Sequence, residues 1–127
     1  MTDSEQLHLN WEKFDANLKS SYAGLRETPD FSDVILVCAD GKQINAHKVI
    51  LETASSLFSN ILQSNKHPHP LIFMKGLEWT DLSDIIDFIY HGEVNVMQHN
   101  LTQFLEIANE IQLKGLSKGS YTENYEN

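Results

Sequence analysis

Near the start of the chain apolar residues return every three or four positions, at Trp11, Phe14, Leu18, Tyr22 and Leu25. This spacing predicts a helix from about Asn10 to Leu25 with a single apolar stripe. Asn10 is the expected N-cap, although Lys13 stands where a capping box would place Glu or Gln. Just before it, Leu7 and Leu9 alternate with Gln6 and His8, a short strand signal with no partner nearby in sequence. Thr28-Pro29-Asp30 breaks the helix. The unbroken apolar run from Val34 to Ala39 predicts a strand covered on both faces. Asp40-Gly41 suits a tight hairpin turn with positive φ, and Lys42 to Ala46 is the return strand.

Two helical segments follow, His47 to Thr53 and Ser55 to Gln63, with Val49, Ile50, Ala54, Leu57, Phe58, Ile61 and Leu62 as their apolar faces. The polar stretch Ser64 to Pro70 predicts a loop, and Leu71 to Lys75 a third strand. Thr80 starts a helix with the stripe Leu82, Ile85, Ile86 and Ile89, ended by His91-Gly92. Glu93 to Met97 is a short extended segment in which Val94 and Val96 alternate with polar residues. Asn100-Leu101-Thr102-Gln103 resembles a capping box, opening a last helix with Leu101, Phe104, Leu105, Ala108 and Ile111 on its apolar face. Leu113 and Leu116 bracket a terminal turn at Lys114-Gly115, and Ser117 to Asn127 lacks apolar periodicity and is expected to be mobile. The sum is an α+β domain, a small sheet beside a larger helical cluster, with neither an internal repeat nor the βαβ alternation of a doubly wound sheet.

At 127 residues and 41% apolar composition, this is one domain able to bury a core without disulfides or metal. No apolar stretch approaches the roughly 20 residues a membrane helix needs. The first residues are acidic and polar, without the basic and apolar regions of a signal peptide, so an intracellular chain is expected. Eighteen acidic residues against nine basic ones leave a net charge of −9. Nucleic-acid affinity rests largely on neutralising phosphates, so direct DNA or RNA binding by this chain is not expected. Cys38, the only cysteine, lies inside the apolar run, where a thiol is a small core residue rather than a nucleophile.

Asp33 stands at the mouth of that run, and His47-Lys48 follows the hairpin. Charges at the edge of a core are compatible with a catalytic site, a metal site or a contact with another chain. Catalysis has little else to draw on. The six glycines are isolated, and there is no GxSxG elbow, no HExxH and no cysteine pair. His67-Pro68-His69-Pro70 lacks a cysteine or close carboxylate to complete a metal site and is a solvated loop, while His91 and His99 sit near helix ends. Asp81, Asp84 and Asp87 recur opposite the apolar stripe as a solvated helix face. No catalytic residue, cofactor or metal is therefore expected, and the balance falls on binding.

The order of these pieces carries a resemblance. Asp30-Phe31-Ser32-Asp33-Val34, Ala46-His47-Lys48-Val49-Ile50-Leu51, Phe88-Ile89-Tyr90-His91-Gly92-Glu93-Val94 and Leu113-Lys114-Gly115-Leu116 together resemble a BTB (POZ) domain, matching from about Leu7 to Leu116. Leu7-His8-Leu9-Asn10-Trp11 followed by Asn17-Leu18 resembles the Tramtrack group of that family, whose start usually reads F-x-L-R-W-N-N. Leu7, Asn10 and Glu12 depart from that pattern, and Glu52 to Ser56 departs from the common S-A-C-S-P.

The resemblance implies a BTB/POZ fold over residues 7–117 with flexible ends at 1–6 and 118–127, a helical cluster flanked by a small mixed sheet. It also implies an N-terminal strand exchanged between two subunits, lying beside the partner's Glu93 to Val96 segment. The dimer interface it implies is Leu7, Leu9, Trp11, Phe14, Leu18, Tyr22, Val94 and Val96. Asp33 and Lys48 match in position an acidic and basic pair beneath the dimer groove. His47 is expected to be a buried, hydrogen-bonded core histidine. The implied function is a homodimerising interaction module at the N-terminus of a nuclear transcription or chromatin factor. Its implied partners are related BTB domains and co-regulators, with higher-order multimers also allowed, and DNA binding lies elsewhere. The alternative is a substrate adaptor for a cullin-based ubiquitin ligase. Such adaptors carry a φ-x-E element after the helix holding Leu57 to Leu62, but Gln63 to Pro68 contains no glutamate.

Overall fold

A computed structural model describes residues 5–28 and 30–116. The helix breaker Pro29, the tail from Ser117 and most of the expected flexible ends lie outside the described residues. Helix α1 spans Phe14–Glu27. Asn10 does not cap it. The chain enters through Lys13, whose backbone is left-handed at φ 59°, and the Asn10 side-chain Oδ1 lies 3.1 Å from His8 Nε2 instead. Trp11 stays outside the helix and packs edge-on against Phe14, with ring centroids 5.0 Å apart.

Strands β1 (Val34–Val37) and β2 (Gln43–Ala46) form the expected antiparallel hairpin, and β3 (Leu71–Phe73) pairs parallel to β1, giving the order β2-β1-β3. The turn closes through the Cys38 N–H on the Lys42 carbonyl (2.8 Å), and Gly41 supplies the positive φ of 89° it requires. The apolar run is covered on one face only. Val34, Leu36 and Cys38 are sealed in the core, while Ile35 and Val37 are half-buried on the opposite face, which no helix covers completely.

Helices α2 (Lys48–Ala54) and α3 (Ser56–Ser64) meet at Ser55, which is fully buried. Its Oγ accepts from the Phe58 N–H at 3.1 Å, capping α3, and donates to the Ile111 carbonyl. Ser55 also bridges to Leu113, and the Lys114 N–H donates to the Ala54 carbonyl at 2.8 Å, so the terminal turn is strapped onto the α2–α3 corner. Here the serine performs the cap although Glu52 to Ser56 departs from the common S-A-C-S-P.

Helix α4 (Trp79–His91) ends at Gly92 in the left-handed region, φ 81°. Helix α5 (Leu101–Glu110) is preceded by a 3₁₀ turn at Gln98–Asn100. That turn places Asn100 in helical backbone, so its side chain makes no cap, and Gln103 reaches across to α4 and donates to Asp81 Oδ2 at 3.0 Å. The core runs from the inner face of the sheet through Leu51 and Phe58 to Leu82, Ile85, Ile86, Phe104 and Ile107. Two described core positions went astray. Val49 and Ile61, assigned to the apolar faces of α2 and α3, point outward.

Ser55→Ala leaves two buried backbone groups without their partner and should cost about 1–3 kcal/mol, whereas Ser20→Ala on the exposed side of α1 should stay within about 0.5 kcal/mol. Thermal unfolding of both variants at one protein concentration checks this.

Candidate interaction surface

Helix α1 lies against α4 and is tied there by Arg26, whose Nε donates to Asp87 Oδ1 at 2.8 Å and whose Nη2 donates to Ser83 Oγ at 3.2 Å. The attachment is one-sided. None of the 14 residues of α1 is buried. Tyr22 and Leu25 pack partly against the core, but toward the N-terminus the stripe runs off α4. Phe14 and Leu18 are each 45% exposed, Trp11 is 65% exposed, and Leu7 and Leu9 are more than four-fifths exposed. Residues 5–11 form no strand, so the predicted Leu7-Leu9 strand has no partner among the described residues.

Val94 and Val96 are half-buried on a segment that follows Gly92 without joining a strand. Between that segment and α1 opens a groove of about 420 Å³ lined by Lys19, Ala23, His91, Glu93, Val94 and Asn95. Of the eight apolar residues assigned to the interface, Tyr22, Val94 and Val96 flank the folded body, and the other five project beyond it.

Asp33 and Lys48 meet through a bond other than the expected one. The Asp33 carboxylate accepts the backbone N–H of Lys48 at 2.8 Å, the first orphan donor of α2. Lys48 Nζ turns away and donates to the carbonyls of His67 (2.7 Å) and Pro68 (3.2 Å). The His47 side chain, at the N-cap position, gives no cap bond, so the open end of α2 and its dipole take the carboxylate. Among the described residues the one ion pair is Arg26–Asp87.

His47 is buried and fully engaged. Its backbone N–H donates to Tyr90 Oη at 2.9 Å, Nδ1 lies 2.7 Å from the same oxygen, and Nε2 lies 2.7 Å from the Asp30 carbonyl. A carbonyl can only accept, so the partners assign the hydrogen to Nε2, and the Tyr90 hydroxyl donates to Nδ1. Phe31, held at φ 62°, turns the chain between the Asp30 carbonyl and the Asp33 carboxylate, so that both face the start of α2. Burial pushes the Tyr90 hydroxyl up to about 12 against the lowering effect of the His47 N–H. Burial, and then Asp40, also raise the Cys38 thiol above its ordinary value, consistent with an unreactive core cysteine.

The acidic side of α4 is not uniformly solvated. Asp87 holds Arg26, Asp81 receives Gln103, and Asp84 is half-buried, its carboxyl raised by burial and then by Asp87 and Asp81. Among the described residues no group of histidine, cysteine and carboxylate side chains is arranged to hold a metal, and no helix is long and apolar enough to cross a membrane.

A strand hairpin, an α2–α3 corner and an α4–α5 pair, joined at a buried histidine, leave the N-terminal helix exposed. A family model for the BTB/POZ domain matches residues 22–123. The chain belongs to the BTB/POZ family. It is 37% identical to a Drosophila melanogaster protein described as longitudinals lacking protein-like, over 93% of this chain and 92% of that protein. It is 34% identical to the alpha isoform of protein tramtrack and 36% identical to the Broad-complex core protein from the same organism. These alignments cover 91% and 93% of this chain but only 14% and 16% of those proteins. The relatives place this BTB domain in the Tramtrack group. The BTB domain of zebrafish PATZ1 has the same fold, with a TM-score of 0.71 at 22% identity over 84% of this chain and 86% of that one. BTB domains are protein-interaction modules, and the chain is one of them.

Two apolar residues near the BTB domain's charged corner are exposed, Phe31 and Val49, the second of which is expected on the apolar face of α2. Val49 fits a helical stripe as well as a core residue does, and only the packing of α2 against α3 and α4 shows it facing out.

Because Asp33 acts by accepting an N–H, Asp33→Asn should retain most of its stabilisation, whereas Asp33→Ala should lose about 1–3 kcal/mol. An opposed-charge pair would make the two variants equally harmful, and denaturant titration separates the cases. Tyr90 generates a second expectation. Its pKa rises on folding from the ordinary 10 to about 12, so the folded state holds its proton more tightly. That contribution is complete below pH 10 and is lost as pH rises through 12. Tyr90→Phe should be less stable at pH 8 and should lose stability less steeply between pH 10 and 12 than the parent.

Proposed function

We propose that this BTB domain is a homodimerising module whose second copy completes the apolar face of α1. The observation that carries this reading is a 14-residue helix with no buried position, preceded by an arm whose Leu7, Leu9 and Trp11 face solvent. A hydrophobic stripe of this length is costly to leave in water, and obligate interfaces resemble a core cut in half. The arm of one copy supplies Leu7 and Leu9 to the segment at Val94 and Val96 of the other, beside the groove against α1. The exchange pairs two segments that belong to no strand among the described residues.

The wider role is that of an assembly unit within nuclear regulators of transcription or chromatin, pairing with itself or with related BTB domains and recruiting co-regulators. Support comes from the Tramtrack-group relatives, of which tramtrack and the Broad-complex core protein devote about a seventh to a sixth of their length to this domain. The net charge of −9, unfavourable for phosphate contacts, supports a reading in which nucleic acid is bound by other parts of such proteins. The missing glutamate between Gln63 and Pro68 favours this role over that of a cullin adaptor.

Light scattering at micromolar concentration should report twice the chain mass, and Leu9→Asp combined with Leu18→Asp should shift the protein toward monomer. A monomer of the parent chain at that concentration would overturn the proposal.

A further inference from the structure

The outer face of the sheet is a second apolar surface, separate from α1. The register sets Ile35 beside Leu71 and Val37 beside Phe73, and paired residues share a face. Ile35 and Val37 are half-buried there, while Leu71 and Phe73 are 60% and 58% exposed. Among the described residues β3 has β1 on one side and no strand on the other. The Ile35 N–H donates to the Pro70 carbonyl and the Met74 N–H to the Val37 carbonyl, so by alternation the backbone groups of Leu71 and Phe73 face away from β1.

Charge singles out the same strand. In a chain of net charge −9, no Asp or Glu occurs from Thr53 to Leu77. That stretch holds Lys66, His67 and His69 before β3 and Lys75 after it, with the nearest acids in sequence, Glu52 and Glu78, on α2 and at the start of α4. A lysine beside an edge strand commonly discourages pairing between copies. Here the basic ends frame two large exposed apolar side chains rather than a polar edge.

We infer that the free edge of β3 is a docking site for an extended partner peptide with alternating apolar residues and acidic flanks. The peptide adds a strand to β3 through the outward N–H and C=O groups of Leu71 and Phe73, and its apolar side chains extend the strip formed by Leu71 and Phe73. Its acidic ends face Lys66 and Lys75. A second copy is a poorer occupant, because two such edges bring like charges together. The site is independent of the α1 surface, so it does not rest on dimerisation.

The test uses fluorescence anisotropy of the full chain with a labelled peptide, Asp-Glu-Val-Thr-Val-Thr-Val-Glu-Asp, and the same core flanked by lysines. The acidic peptide should bind, weaken at least tenfold in Phe73→Asp and in Lys66→Glu combined with Lys75→Glu, and weaken with added salt. The paired lysine variant alters only exposed side chains, which keeps the test informative if Phe73→Asp fails to fold. Leu9→Asp with Leu18→Asp, which addresses the α1 surface, should leave peptide affinity unchanged. No binding at ~1 mM peptide, equal binding of the lysine-flanked peptide, or loss of self-association without peptide binding in Phe73→Asp would each overturn the inference.

Discussion

Tyr90 Oη receives the backbone N–H of His47 and donates to its ring, while the far side of that ring donates to the Asp30 carbonyl. This chain of bonds joins α4, the β2–α2 junction and the turn that follows α1. Polar groups in a core are costly unless every one is satisfied, and no buried side-chain donor or acceptor among the described residues lacks a partner. With the junction fixed, the Asp33 carboxylate stands over the first N–H of α2, and β1 lies against β2 and β3. The folded body is therefore complete without α1 contributing a buried residue. That leaves the N-terminal helix for another role.

The two surfaces of the domain follow from that economy. On one side, α1 is held by Arg26 near its C-terminal end, and its apolar stripe is more exposed toward Phe14 and Trp11. On the other, the three-stranded sheet carries helices on its inner face, and its outer face keeps Leu71 and Phe73 in water. The first surface joins an exposed arm to a groove, a geometry suited to exchange between copies. The second joins a strand edge to positive charge, a geometry suited to an extended acidic segment. Among the described residues no group of histidine, cysteine and carboxylate side chains is arranged to hold a metal at either surface.

Most of the fold was legible in sequence because periodicity and turn chemistry agree over nearly every element. Asp40-Gly41 marks the hairpin, His91-Gly92 marks the end of α4, and the stripe of α4 is the buried one. The failures share a cause, which is that a one-dimensional pattern cannot say what lies opposite. The run Val34 to Ala39 is apolar throughout, yet only alternate residues are sealed, because cover depends on elements far away in sequence. Asp33 and Lys48 were matched by position and opposite sign, but the open end of α2 bound the carboxylate and the 65–70 loop bound the ammonium. The acidic repeat of α4 looked uniform until Arg26 and Gln103 arrived from α1 and α5. The Leu7-Leu9 alternation forms no strand among the described residues, and both leucines face solvent.

The central claim is that α1 owes its stability to a second copy, while the sheet does not. Amide hydrogen exchange measured across a dilution series tests this most directly. Protection of the α1 amides should fall as the chain is diluted through its dissociation constant, while the amides of β1 and β2 keep theirs. Protection of α1 that does not change with concentration would contradict the account, since the helix would then be held by its own chain alone.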